Sequence, residues 1–152
     1  MVCGRMGEAM NRAVHTILVS LLSTCCVAAM DRWAALSMLE SADNDRAVGP
    51  AGEVSRYQIR PELWNAIVPS CSDPSDPCAA LVAAQGIMQE RCTAFERRYH
   101  RPPADFEFYV LWNAPAQLIG PGERAAIPKA VVERAQRFCN LVARQSDGRS
   151  TP

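Results

Sequence analysis

The chain predicts a mainly helical, single compact domain with at most a small irregular sheet, and three observations carry that expectation. Apolar residues recur three or four positions apart in four separate stretches, as helices with one buried face require. Proline and short polar residues punctuate the stretches at their ends. The length, 152 residues, is one domain's worth and can bury a single core.

Trp33, Leu36 and Leu39 recur at helical spacing after Asp31, which places Glu40 in the last turn of a first helix. Asp43, Asn44 and Gly49-Pro50 then break that helix, and a loop of turn formers runs to Gly52. Val54 to Ile59 reads as irregular or briefly extended. Pro61 opens a short helix through Ile67, because proline at the first helical position loses no intrahelical bond.

Pro69 to Ser75 is a loop, and Asp76-Pro77 starts the longest helix, with Leu81, Ala84, Met88, Cys92, Phe95 and Tyr99 on one face. It stops ahead of Pro102-Pro103, since the residue before proline avoids helical geometry. Ala104 to Trp112 forms another helix around Phe106, Tyr109 and Val110. The last runs from about Pro128 to Ala143, with Val131, Ala135, Phe138, Cys139 and Val142 facing inward. Residues 147–152 are set apart as a frayed tail.

Residues 1–29 read as a secretory signal: Arg12, an apolar run from Ile17 to Leu22, and the small triplet Val27-Ala28-Ala29 before cleavage. An uncleaved anchor is the alternative, weakened by Ser20, Ser23, Thr24 and two cysteines within the run. The domain then spans 30–146 and is exported, to the periplasm or beyond, with no membrane partner after cleavage. Four cysteines remain, Cys71, Cys78, Cys92 and Cys139, and an even number in an exported domain argues for disulfides. Cys71 with Cys78 and Cys92 with Cys139 is the favoured pairing among three; buried thiols at Cys92 and Cys139 are the alternative.

Sixteen basic and sixteen acidic residues leave a formal charge of zero, so there is no basic stripe for nucleic acid. His100 is the one histidine left after processing, which leaves no material for a two-histidine zinc site or a Ser/His/Asp triad. No metal and no cofactor is expected. The Arg97, Arg98 and Arg101 cluster reads as a solvated face.

Two polar motifs stand out against this background. The first begins at Glu40-Ser41 and continues through Asp43 to Gly49 and Gly52-Glu53-Val54-Ser55-Arg56-Tyr57-Gln58-Ile59-Arg60-Pro61; the second is Trp112-Asn113-Ala114-Pro115. Together they resemble the catalytic domain of the soluble lytic transglycosylases, a lysozyme-like, α+β, mainly α family that cuts peptidoglycan. The resemblance covers roughly residues 31 to 142. In that family a Glu-Ser pair precedes a Gly-Leu-Met-Gln-Ile segment and a later Tyr-Asn-Ala-Gly. Here Ser55-Arg56-Tyr57 stands for Gly-Leu-Met, Trp112 for the tyrosine whose hydroxyl contacts the glutamate, and Pro115 for the last glycine. Tyr57 is the candidate for the missing phenol.

The resemblance implies that Glu40 protonates the leaving oxygen between N-acetylmuramic acid and N-acetylglucosamine, then takes a proton from the 6-hydroxyl that closes a 1,6-anhydro ring. Cleavage of a glycosidic bond needs such an acid, and the end of a helix dipole with Met38 and Leu39 nearby would favour its protonated form. Ser55, Tyr57, Gln58, Trp112 and Asn113 would line the substrate groove, and Ser41 would hold the turn. The partner is a peptidoglycan glycan strand, and the expected state is a monomer. Glu53 is a possible second carboxylate, able to position water and make the protein a hydrolytic lysozyme; a solvated loop acid, or a salt bridge to Arg56 or Arg60, is its bland reading. A noncatalytic glycan-binding or cell-wall assembly component is the other alternative.

Overall fold

Residues 31–69, 71–121 and 126–147 are described by a computed structural model. The expected signal segment and residues 148–152 of the expected tail lie outside them, whereas Asp147 closes the last helix and belongs to the domain. Six helices make up the described residues: α1 (Arg32–Ser41), α2 (Pro61–Ile67), α3 (Pro77–Tyr99), α4 (Asp105–Asn113), α5 (Ala116–Ile119) and α6 (Lys129–Asp147). Extended structure among them is confined to isolated antiparallel bridges, Val48 to Val54 and Val54 to Ile59.

The ends of these helices follow local chemistry. Asp31 caps α1 by accepting from Trp33 N, and Asp76 caps α3 by accepting from Cys78 N at 2.8 Å, so each satisfies a donor that the first turn leaves unpaired. Pro61 and Pro77 occupy first helical positions. Helix α1 stops because Ala42 and Asp43 turn left-handed, with φ of 55° and 61°. Their backbone N–H groups return to Met38 O and Ser37 O.

Helix α4 is the centre of the fold. Phe108, Tyr109, Val110, Leu111 and Trp112 are all buried, and a helix buried on every side must be wrapped by others. Helices α3, α5 and α6 pack against it, and α6 also packs against α1. A run of aromatic rings joins these elements: Trp112 to Tyr57 at 6.5 Å, Tyr57 to Trp33 at 6.3 Å, Trp33 to Phe108 at 5.5 Å and Phe108 to Phe138 at 5.8 Å. Edge-on and stacked pairs at such spacings each add about 0.5–1.5 kcal/mol beyond area burial. The run fixes α1 and the 54–59 loop against α4 and α6.

Some expectations change. The inward face of α3 is Ala80, Ala83, Ala84, Ile87, Met88 and Phe95, slightly rotated from the expected stripe, so that Leu81, Cys92 and Tyr99 sit at its edge. The small residues on that face let α2 approach, with Gly86 meeting Ile67. Cys71, Cys78, Cys92 and Cys139 are free thiols, not the expected disulfides. Cys92 and Cys139 are half-buried on α3 and α6, two helices with little direct contact, and burial pushes both thiols up.

Candidate active site

Glu40 lies in the last turn of α1 with its side chain only 7% exposed, and three donors from two other helices converge on it. The Tyr109 hydroxyl and Asn113 Nδ2 donate to Oε1, at 2.8 and 3.2 Å. Arg134 Nη2 donates to Oε2 at 3.0 Å and to the Leu39 carbonyl at 3.2 Å. Tyr109 and Asn113 are four residues apart on α4 and so share one face of that helix. Arg134 comes from α6, ninety-four residues away in sequence.

These surroundings differ from the apolar pocket that the neighbours Met38 and Leu39 suggest. Met38 points outward, 43% exposed, because it lies on the outer flank of α1. Glu40 instead meets hydroxyl, amide and guanidinium donors. Burial and the charge of Glu40 hold the Tyr109 phenol far above its usual range, so that it remains a donor throughout the working pH range.

Beside Glu40 a cleft of about 580 Å³ opens, lined on one side by Glu53, Gln58 and Arg60 and on the other by Arg91, Trp112, Asn113 and Arg134. The loop that carries Gln58 is closed by a reciprocal pair of backbone bonds between Val54 and Ile59, both 2.8 Å, and by Gln58 N to Ser55 O. Gln58 Nε2 also donates to Ser55 O at 3.1 Å, which aims the side chain's amide oxygen away from that carbonyl. Gly49 lies against the ends of Glu53 and Gln58: a Cβ there would stand 2.5 Å from Gln58 Oε1 and closer still to Glu53 Oε2. A side chain at this point would displace the ends of Glu53 and Gln58.

Ser41 stitches this loop to α1. Its hydroxyl donates to Arg56 O at 2.8 Å and accepts from Asn44 N at 3.1 Å, the turn-holding role expected of a hydroxyl at a helix end. Arg56 then pairs with Asp45, whose carboxyl is lowered chiefly by that hydrogen bond. The Trp112 end of α4 is held by Arg91, which donates to the carbonyls of Leu111 and Trp112 at 2.9 and 2.8 Å. A cation at the C-terminus of a helix suits both the orphan carbonyls and the dipole.

Of the residues singled out from sequence, Glu40, Glu53, Gln58, Trp112 and Asn113 share this cleft. Ser55 and Tyr57 do not line it and are corrected here from groove residues to packing residues. Ser55 is 1% exposed at a φ of 67°, with its hydroxyl accepting from Tyr57 N, and Tyr57 is 4% exposed between Trp33 and Trp112. That left-handed geometry at Ser55 is one that glycine adopts more readily. The missing phenol is supplied by Tyr109, one helical turn before Asn113, and not by Tyr57.

Glu53 accepts from Ala51 N at 3.0 Å, while Arg56 and Arg60 pair with Asp45 and Glu62 instead. Of the two bland readings of Glu53, the salt bridge to Arg56 or Arg60 is not formed, and its carboxylate caps a local backbone N–H instead. His100 is exposed at the left-handed end of α3, and among the described residues no group of three or more His, Cys, Asp or Glu side chains could hold a metal ion. No described helix is long and apolar enough to cross a membrane. Comparison of the chain with protein-family models, curated proteins and solved structures finds no match.

Proposed function

We propose that the chain is an exported peptidoglycan lytic transglycosylase that cleaves between N-acetylmuramic acid and N-acetylglucosamine, with Glu40 as acid and then base. The observation that carries the reading is a single nearly buried carboxylate on the wall of an open cleft, with two donors on one oxygen and one on the other. Tyr109 and Asn113 fill Oε1, whereas Oε2 accepts from Arg134 alone and keeps a lone pair for the transferable proton.

In the forward step the bond from the anomeric carbon to the leaving oxygen breaks, and the proton on Oε2 passes to that oxygen. The muramic 6-hydroxyl then bonds to the anomeric carbon, and its proton passes to Oε2, restoring the acid. No water is consumed. Intramolecular attack supplies the proximity that a bimolecular reaction lacks, worth about 7–11 kcal/mol in well-oriented cases. Gln58 and Asn113 offer amide groups to the sugar, and Trp112, largely buried, lines the cleft beside them.

A second reading is favoured by Glu53, which faces the same cleft. A carboxylate there can take a proton from water attacking the anomeric carbon, as in a hydrolytic lysozyme. Mass spectrometry of the products from purified peptidoglycan separates the readings. Transglycosylase products are one water lighter than hydrolytic ones, and Glu40→Gln should release about 100 to 10,000-fold less, the usual contribution of a general acid. Reducing-end products would instead make Glu53 the next residue to change. Binding of glycan without any products from folded protein would favour the noncatalytic, wall-assembly role.

A further inference from the structure

We propose that Arg134 is a positioning residue for this chemistry, clamping the reactive oxygen of Glu40 and balancing the charge that appears on it; the inference rests on the glycosidase reading above. Neither polar motif contains Arg134, and it is the residue that α6 contributes to the site.

The argument begins with the end of α1. The last carbonyls of a helix have no intrahelical partner, and Leu39 is among the last four residues of α1. Arg134 Nη2 satisfies its carbonyl and, from the same nitrogen, bonds Glu40 Oε2. One donor thus holds a backbone oxygen and the adjacent side chain together. Such a bridge fixes the direction in which Glu40 leaves the helix more firmly than a bond to the carboxylate alone.

The placement is also asymmetric. Oε1 has two neutral donors, whereas Oε2 has the guanidinium. When the proton leaves Oε2 for the glycosidic oxygen, negative charge develops opposite a cation that is already in place. Stabilisation that grows toward the transition state raises kcat rather than binding. Arg134 stands with its guanidinium 5.9 Å from the Tyr109 ring, which limits its wandering, and is 39% exposed along the cleft. A small cation from solution can therefore reach its place.

The test measures kcat and KM of the chain on peptidoglycan glycan strands, with Arg134→Ala and Arg134→Lys beside the wild type. Arg134→Ala is expected to lose about 100 to 1,000-fold in kcat, as for other preorganised donors, with KM within about threefold. Guanidinium chloride at about 50 mM should recover at least about tenfold of that loss, and sodium chloride at equal ionic strength should not, because only guanidinium matches the removed group in planar shape and N–H donors. Arg134→Lys keeps the charge on a compact ammonium whose nitrogen ends elsewhere than Nη2 and should lose about tenfold in kcat. A wild-type kcat in either folded variant overturns the inference, as does a loss in folded Arg134→Ala that guanidinium leaves unchanged. Wild type that releases no fragments overturns the glycosidase reading and the inference together, whereas active wild type with indifferent variants overturns the inference alone.

Discussion

The Tyr109 hydroxyl donates to Glu40 Oε1 across 2.8 Å, from four residues ahead of Asn113, which donates to the same oxygen. The phenol that the second motif lacks at Trp112 is thus present one turn earlier on the same helix.

Removing that hydroxyl is the direct probe. Tyr109→Phe keeps the ring against Phe138, 5.5 Å away, and deletes one donor to Glu40. A hydrogen bond to a charged group is worth about 1.5–3 kcal/mol, so thermal or urea unfolding should show a loss of that size. Turnover on peptidoglycan should fall by about tenfold, the equivalent of 1.4 kcal/mol in the barrier. An unchanged rate in the variant would remove Tyr109 from the site.

Alkaline stability carries a sign that follows from the same contact. The Tyr109 phenol is raised by burial first and by Glu40's charge second, and Tyr57 is raised by burial. The folded state therefore keeps protons that the unfolded chain releases above pH about 10, and stability is full below that pH and declines above it. Urea unfolding from pH 8 to pH 11.5 should show the decline, less steep in Tyr109→Phe. Equal slopes for the two proteins would contradict the burial of this phenol.

Gly49→Ala tests the shape of the cleft apart from its chemistry. The added methyl meets the ends of Glu53 and Gln58, which can swing, so unfolding stability should stay within about 0.5 kcal/mol, as for most changes away from the core. The cost falls on the groove that those side chains line. KM for glycan strands should rise by about threefold to tenfold, equivalent to roughly 0.7–1.4 kcal/mol of lost binding. A full loss of folding instead would show that Gly49 serves stability.

Thiol accessibility separates the cysteines. In a chain that begins at Met30, a thiol reagent should titrate Cys71 and Cys78 quickly, since both are exposed. Cys92 and Cys139 should react slowly until denaturant is added, because burial lowers both their access and their thiolate fraction. Absence of reactive thiols from nonreduced protein would restore the disulfides expected from sequence.

Fold and site were legible to different depths. Apolar periodicity and proline placed α1, α2, α3, α4 and α6 within a few residues, because each has a buried face and a chemically marked end. Helix α5 escaped since four residues are too few to display a period. Glu40, Gln58 and Asn113 could be read from linear motifs, whereas the donors Tyr109 and Arg134 could not. By its apolar neighbours Tyr109 reads as a core residue of its helix, although its spacing from Asn113 puts both on one face. Arg134 carried a fainter signal: it lies three and four residues from Val131 and Phe138, on the inward flank of α6, where a charge requires a partner. Ser55 and Tyr57 enter the expected groove only through the motif, and the order of residues in a motif does not say which side chains of the loop are buried.

The clamp between the first and last helices sets an order in time. Both polar motifs are complete once residue 115 has been made, yet Glu40 gains its third donor only when residue 134 has joined the fold. A chain emerging during synthesis, or one clipped in the segment before α6, holds every residue of the two motifs and still lacks the finished site. The hydrogen-bond set around Glu40 therefore waits for the final helix, and loss of that helix is enough to remove one of its three donors.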